Sequence, residues 1–308
     1  MQNHTKGILY AAITALCWAF LAIALKVADR KVDPITIVWL RFVIAFIMLA
    51  GWQIVAKLSS FKLMVKPPVL LIIAALGLSW NYVSFMLGIH YTTPSNAQLF
   101  IQLGPILLAL AGFIFFKESI EKKQIIGFAV SFVGIAFFYR DQLNAFFDNS
   151  KEYNLGVIII ISSAAAWALY AILQKKLVIR YPIDSLNLFL FGFPALLFLP
   201  LAKPATLIHL NWAWWLLMIF LGANTFISYT FMAKALKLIQ ANKVSIIIIL
   251  NPILTFATMG FLTWLKVEWI QHERFTVMTI IGASLVLAGA FLVVKRSKQK
   301  KQQLPAEA

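Results

Sequence analysis

The chain has 308 residues, 62% hydrophobic and 12% charged, with a mean hydropathy of +0.86. A soluble globule cannot cover that much apolar side chain with polar surface, and a disordered chain would lack the aliphatic and aromatic residues abundant here. The 27 Lys and Arg outnumber the 11 Asp and Glu but lie between apolar runs, so they read as membrane-topology signals and not as a nucleic-acid footprint.

About 20 mostly apolar residues cross the hydrocarbon core as a helix. Ten such stretches follow one another: residues 7–25, 34–56, 68–88, 95–116, 124–139, 155–173, 183–201, 212–233, 244–265 and 275–294. The expected fold is an all-α integral membrane protein with ten transmembrane helices. A polar, turn-rich external linker at 140–154 separates a five-span half at 1–139 from another at 155–294, and a basic cytoplasmic tail follows at 295–308. The first span is expected to be retained and not cleaved as a signal peptide, because its pattern recurs in the sixth. With the N terminus inside, eighteen Lys and Arg fall on the cytoplasmic face, eight outside, and Arg41 within a span. The positive-inside rule then places both termini in the cytoplasm; the expected location is a plasma membrane, the bacterial inner membrane.

Candidate functional residues appear in most spans. Trp18 lies midway through span one, away from the interfacial belt, so it fills the core or walls a cavity. Cys17, the single cysteine, can form neither an intrachain disulfide nor a cysteine metal cluster. In span two, Arg41 stands about 10 Å along the helix from Pro34. A lipid-facing guanidinium is costly. Arg41 therefore either meets an anionic substrate group in a wet cavity, or snorkels outward or ties to backbone carbonyls. Span three offers Asn81, Tyr82 and Ser84. Span four carries Gln98 and Gln102 on one helix face, followed by Gly104-Pro105. Proline frees a carbonyl one turn earlier, and in a bilayer that group needs a protein or water partner. The break marks either a binding site or a packing kink.

Small residues at Gly127 and Ser131 in span five suit close helix approach. Trp167 and Tyr170 follow in span six. Trp212, Trp214 and Trp215 read as belt residues at the start of span eight, which then carries Asn224, Ser228 and Tyr229. Span nine holds Ser245 and a second break, Asn251-Pro252. Ser284 and Ala288 give span ten a small-residue pair. These pairs indicate intramolecular packing in a monomer, with a homodimer surface as the alternative.

The two halves repeat. Gly7, Trp18 and Lys26 recur in order as Gly156, Trp167 and Lys175. Tyr82 recurs as Tyr229, Gln98 as Ser245, and LGPIL (103–107) as LNPIL (250–254). Glu118, Gly127 and Gly134 recur as Glu273, Gly282 and Gly289. Five spans per half make the second copy enter the membrane inverted. Inverted repeats with matched helix breaks are a pointer to secondary transporters that bind substrate at the repeat interface. The mate of Arg41 is Phe189, so any charge role is asymmetric.

The sequence resembles the drug/metabolite transporter superfamily, in particular its EamA-type members. The resemblance rests on the tryptophans of spans one and six, Ala235-Leu236-Lys237 ending span eight, the prolines of spans four and nine, and Glu118 and Glu273 followed by spaced glycines. It covers nearly the whole chain. Gly88 stands where an alanine is usual, and about eight residues around LKVEWIQH extend the connection between spans nine and ten. The resemblance implies transport of amino acids, sugars, nucleotide sugars, other metabolites or drugs, often as export.

All Asp and Glu fall in loops, at span ends or in the tail, and the four His lie at or beyond span ends. This excludes a buried carboxylate dyad and argues against a metal site or an intramembrane hydrolase. There is no phosphate loop and no soluble domain, so no cofactor is expected; the partners are a small-molecule substrate and membrane lipid, without nucleic acid. The expected function is export of small polar metabolites, amino acids or related compounds, by alternating access. Trp18, Trp167, Tyr82, Tyr170 and Tyr229 would supply aromatic walls. Asn81, Gln98, Gln102, Asn224 and Ser245 would supply hydrogen bonds, and Arg41 would guard the outer side. An exporter of lipophilic cations is the alternative within the same fold, weakened by the lack of an intramembrane carboxylate. A membrane enzyme or receptor is the alternative from another class, weakened by the lack of a reactive constellation.

Overall fold

The computed structural model describes residues 2–56, 61–92, 94–118, 121–140, 151–267 and 276–294. The described chain is helical, with one 3-10 segment at Pro204–His209. The first copy contributes α1 (Gln2–Ala28), α2 (Pro34–Val55), the single turn α3 (Lys62–Val65), α4 (Val69–Tyr91), α5 (Pro94–Phe100), α6 (Leu103–Ile114) and α7 (Lys122–Phe138). The second contributes α8 (Lys151–Leu177), α9 (Ile183–Phe198), α10 (Trp212–Leu238), α11 (Ala241–Ile248), α12 (Asn251–Trp264) and α13 (Val277–Val294). Residues 141–150 of the expected linker and the tail at 295–308 lie outside the described residues. The last four linker positions are helical, because α8 begins at Lys151.

Seven helical runs are long and apolar enough to cross a membrane: Asn3–Ala28, Pro34–Val55, Val69–Tyr91, Ala97–Ile114, Lys151–Leu177, Trp212–Leu238 and Ala241–Trp264. The helices α7, α9 and α13 have 17, 16 and 18 residues, or about 24–27 Å at 1.5 Å per residue. Phe20, Trp52, Phe132, Phe261 and Phe291 face outward, as apolar side chains do when the surrounding solvent is acyl chain. Helix starts follow ordinary chemistry. Asp33 Oδ1 accepts from Thr36 N at 3.0 Å, with Pro34 opening α2, and Glu121 and Gln124 form a reciprocal capping box on α7.

Helix contacts are duplicated. α1 packs on α10 as α8 packs on α4, and α1 packs on α12 as α8 packs on α6. The register repeats too. Thr14 Oγ1 donates to Ser228 O at 3.2 Å, and at the equivalent place Ser163 Oγ donates to Asn81 O at 2.9 Å. The repeat mates α1 and α8 run antiparallel. Gly7, near the start of α1, packs on Ile239, whose carbonyl accepts from Lys175 Nζ near the end of α8. Gly156, near the start of α8, packs on Thr92, whose carbonyl accepts from Lys26 Nζ near the end of α1.

α7 and α13 meet almost backbone to backbone. A methyl on Gly127 would lie 2.7 Å from Gly289 O, and one on Gly134 would lie 2.8 Å from Gly282 O. Ser131 donates across the seam to Val286 O at 3.4 Å. The small residues Ser284 and Ala288 point away from it, exposed on α13. The contact runs instead through glycines seven residues apart on each helix.

Candidate functional site

Both broken spans are interrupted just before their prolines. α5 stops at Phe100 and α6 starts at Leu103, with a tight turn in which Gly104 N donates to Ile101 O at 2.9 Å. α11 stops at Ile248 and α12 starts at Asn251, with Leu250 N donating to Ile247 O at 3.1 Å. Pro252 sits in the first turn of α12, where its missing N–H costs nothing. Gly104 allows α6 to lie against α8: a methyl there would be 3.1 Å from Ala164 O and 2.9 Å from the Trp167 ring.

A cavity opens at these breaks, with about 560 Å³ of empty space including its mouth. The first copy lines it with Trp18, Leu21, Arg41, Asn81, Tyr82, Phe85, Gln98, Ile101, Gln102 and Pro105, and the second with Trp167, Tyr229, Ile248 and Asn251. A mostly apolar lining with a few convergent polar groups is typical of small-molecule sites.

The rings form one connected wall. Trp18 meets Trp167 edge-on at 5.8 Å and Tyr229 at 5.5 Å between centroids. Tyr229 meets Tyr82 at 5.6 Å and Tyr170 at 5.5 Å. These separations are those of favourable offset and edge contacts.

The amides form a second feature. Gln98 Nε2 approaches Trp18 O at 3.5 Å, and Asn251 Nδ2 donates to Gln98 Oε1 at 3.3 Å. Gln102 Nε2 donates to Gln98 O at 3.0 Å. Gln98 thus joins the two breaks. Gln102 Oε1 and Asn251 Oδ1 are buried without a hydrogen-bond partner.

Arg41 is 3% exposed. Its Nε donates to Thr225 Oγ1 at 3.2 Å, and its guanidinium lies 4.3 Å from the centroid of the Tyr82 ring, a cation–π distance. No carboxylate pairs with it among the described residues. It faces inward and does not snorkel. Asn81 lines the cavity while also bonding α8, through Nδ2 to Ser163 Oγ at 2.9 Å.

Three residues of the expected set stand outside the lining. Tyr170 is fully buried behind Tyr229. Asn224 donates to Cys17 O at 2.7 Å and ties α10 to α1. Ser245 donates to Ala241 O at 2.8 Å within its own helix. Gly104 and Pro252 shape the breaks without lining the cavity, whereas their neighbours Pro105 and Asn251 line it.

The sequence reading missed Thr225, the partner of Arg41. It also missed a clamp at each end of the bundle. Lys26 Nζ donates to Ile89 O at 2.8 Å and Thr92 O at 3.0 Å, closing the end of α4. Lys175 Nζ donates to Leu236 O at 2.9 Å and Ile239 O at 2.6 Å, closing the end of α10. Glu118 completes the second clamp. Its Oε1 accepts from Ala241 N at 2.7 Å, its Oε2 from Asn242 N at 3.1 Å, and Lys175 Nζ stands 3.7 Å away. A carboxylate on the first N–H groups of α11 and an ammonium on the last carbonyls of α10 each match the local helix dipole. The recurrence of Lys26 as Lys175 was the available signal; it was read as a repeat match and a topology charge, without a bonding role.

A duplicated, lipid-facing helical bundle with a chamber between its copies, mostly apolar and carrying a few polar groups, defines a multi-pass membrane protein of transporter type. The chain belongs to the EamA-like transporter family, which matches it twice, over residues 5–140 and 154–295. It is 31% identical to the uncharacterized inner membrane transporter YhbE of Escherichia coli (strain K12), over 94% of this chain and 91% of that protein. It is 29% identical to an uncharacterized transporter of Haemophilus influenzae, over 94% and 95%. One solved crystal structure shares the fold, with a TM-score of 0.73 at 16% identity over 94% of this chain and 97% of that one.

Proposed function

We propose that this protein is a secondary transporter of small polar metabolites, amino acids or related compounds, and that it exports them by alternating access. The observation that carries the reading is the chamber itself. It is polar at its breaks and lined from both antiparallel copies. Ten crossings in two inverted halves, with both termini in the cytoplasm, would give two packings of nearly equal energy, one open to each side. Trp18, Trp167, Tyr82 and Tyr229 would hold the substrate body, and Asn81, Gln98, Gln102 and Asn251 would supply hydrogen bonds. The clamps at Lys26 and at Lys175–Glu118 would open in turn.

The test is exchange of labelled metabolites across liposomes containing the purified protein, repeated with Gln98→Ala. Uptake of one or more amino acids or close relatives, reduced in the variant, is the expected result. Absence of exchange across a broad metabolite panel refutes the reading, and selective movement of quaternary ammonium dyes replaces its substrate class.

A further inference from the structure

We infer that the chamber is built for a two-ended ligand, with a carboxylate lying on Arg41 and a hydrogen-bond-donating group, such as an ammonium, on Gln102 and Asn251. This rests on the carrier reading and narrows its substrate to organic acids that also carry a hydrogen-bond donor.

Arg41 supplies the first end. It is a buried cation with no carboxylate partner among the described residues, and no Asp or Glu lines the chamber. Thr225 engages Nε and Tyr82 holds the plane from one face, so the guanidinium is fixed in orientation. A fixed guanidinium fork matches a carboxylate two atoms to two. Its place is also specific. In the repeat, Arg41 and Thr225 correspond to Phe189 and Leu78; the polar pair occurs once, both partners together, where the other copy is apolar. A merely structural tie would not need a charge, and an uncompensated buried charge is expensive. A ligand anion offsets it.

The second end follows from the amide chain. The Gln102 amide nitrogen is committed to Gln98 O and that of Asn251 to Gln98 Oε1. Those commitments fix both amides with their oxygens left over, and both oxygens are buried and unpartnered on residues that line the chamber. Two orphan acceptors call for a donor. A ligand with an acid at both ends would face them with further acceptors, and a simple amine would bring its charge into a chamber that already holds Arg41.

The experiment measures the unfolding temperature of the purified full chain in detergent with the twenty common L-amino acids. Each is paired with its deaminated carboxylate and its decarboxylated amine. Ligands that bind the native state stabilise it by mass action. At least one set should rank amino acid above deaminated acid above amine. Arg41→Gln should weaken binding of both acids about tenfold or more, and Gln102→Leu should narrow the gap between the amino acid and its deaminated acid. The ranking is read on the unaltered protein, so it does not depend on either variant folding. An amine that stabilises as well as its matched acid overturns the inference, as does the absence of stabilisation by any set. Liposome exchange separates the two readings. A ligand that ranks as expected but is not moved refutes the carrier and leaves the two-ended site, whereas movement only of compounds without a carboxylate leaves the carrier and removes the site.

Discussion

Replacing Glu118 with glutamine tests the clamp that closes α10 onto α11. The carboxylate accepts two main-chain N–H groups, from Ala241 at 2.7 Å and Asn242 at 3.1 Å. Glutamine keeps one oxygen and turns an NH2 toward the other donor, so one charge-assisted bond is lost. Such bonds contribute about 1.5–3 kcal/mol when buried, and the Glu118 side chain is only 7% exposed. Losing the negative charge at a helix N terminus adds about 0.3–1 kcal/mol. The sum, about 2–4 kcal/mol, corresponds to a fall of roughly 4–8 °C in the unfolding temperature at about 2 °C per kcal/mol for a chain of this size. The assay is thermal unfolding of the purified protein in detergent. Lys175→Met and the double variant complete a cycle that isolates the ammonium–carboxylate contribution. That coupling should be the smaller part, because the pair stands 3.7 Å apart while both groups bond main chain. Gly112 makes room for the carboxylate, since a methyl there would lie 2.7 Å from Glu118 Oε2. A Glu118→Gln protein that melts within about 1 °C of the parent, below 0.5 kcal/mol on the same scale, would refute the assignment.

Other predictions follow from the same geometry. Gly282→Ala would set a methyl 2.6 Å from Gly134 O and should destabilise by about 3 kcal/mol or prevent assembly. Gly51→Ala, with nothing within 4 Å of the added methyl, should stabilise by about 0.5–1 kcal/mol; thermal unfolding of the two variants side by side checks both signs. Lys117 and Lys266 have φ of 49° and 54° just beyond the ends of α6 and α12. Lys117→Gly and Lys266→Gly should each raise stability by about 0.5–1 kcal/mol, read as a higher unfolding temperature.

The sequence carried most of what composition and periodicity can encode. Apolar run length located the helices, and ordered matches such as Trp18 with Trp167 exposed the duplication. The breaks at Pro105 and Pro252 were legible because proline has a local, context-free effect on the backbone. Facing was less legible. Asn224 and Ser245 are polar and lie within spans, like Gln98, yet one ties α10 to α1 and the other bonds its own helix; only the rotation of each helix about its axis decides between wall and tie. Thr225 escaped notice because its meaning comes from Arg41, 184 positions away. Lys26 and Lys175 were seen as charges beside spans. Their clamping role needs the ends of α4 and α10 to arrive next to them, which is a tertiary fact. The glycine seam lay in the repeated Gly127, Gly134, Gly282 and Gly289, but four-residue spacing drew the eye to Ser284 and Ala288 instead.

The α7–α13 seam has a mechanical consequence. Where main chain rests on main chain, there is no rotamer to flip and no side chain to withdraw, so the joint can neither tighten nor yield by small local adjustment. In the proposed transport cycle these two helices would act as a keel that holds the two copies at constant spacing, and rearrangement around the chamber would fall to the other helices.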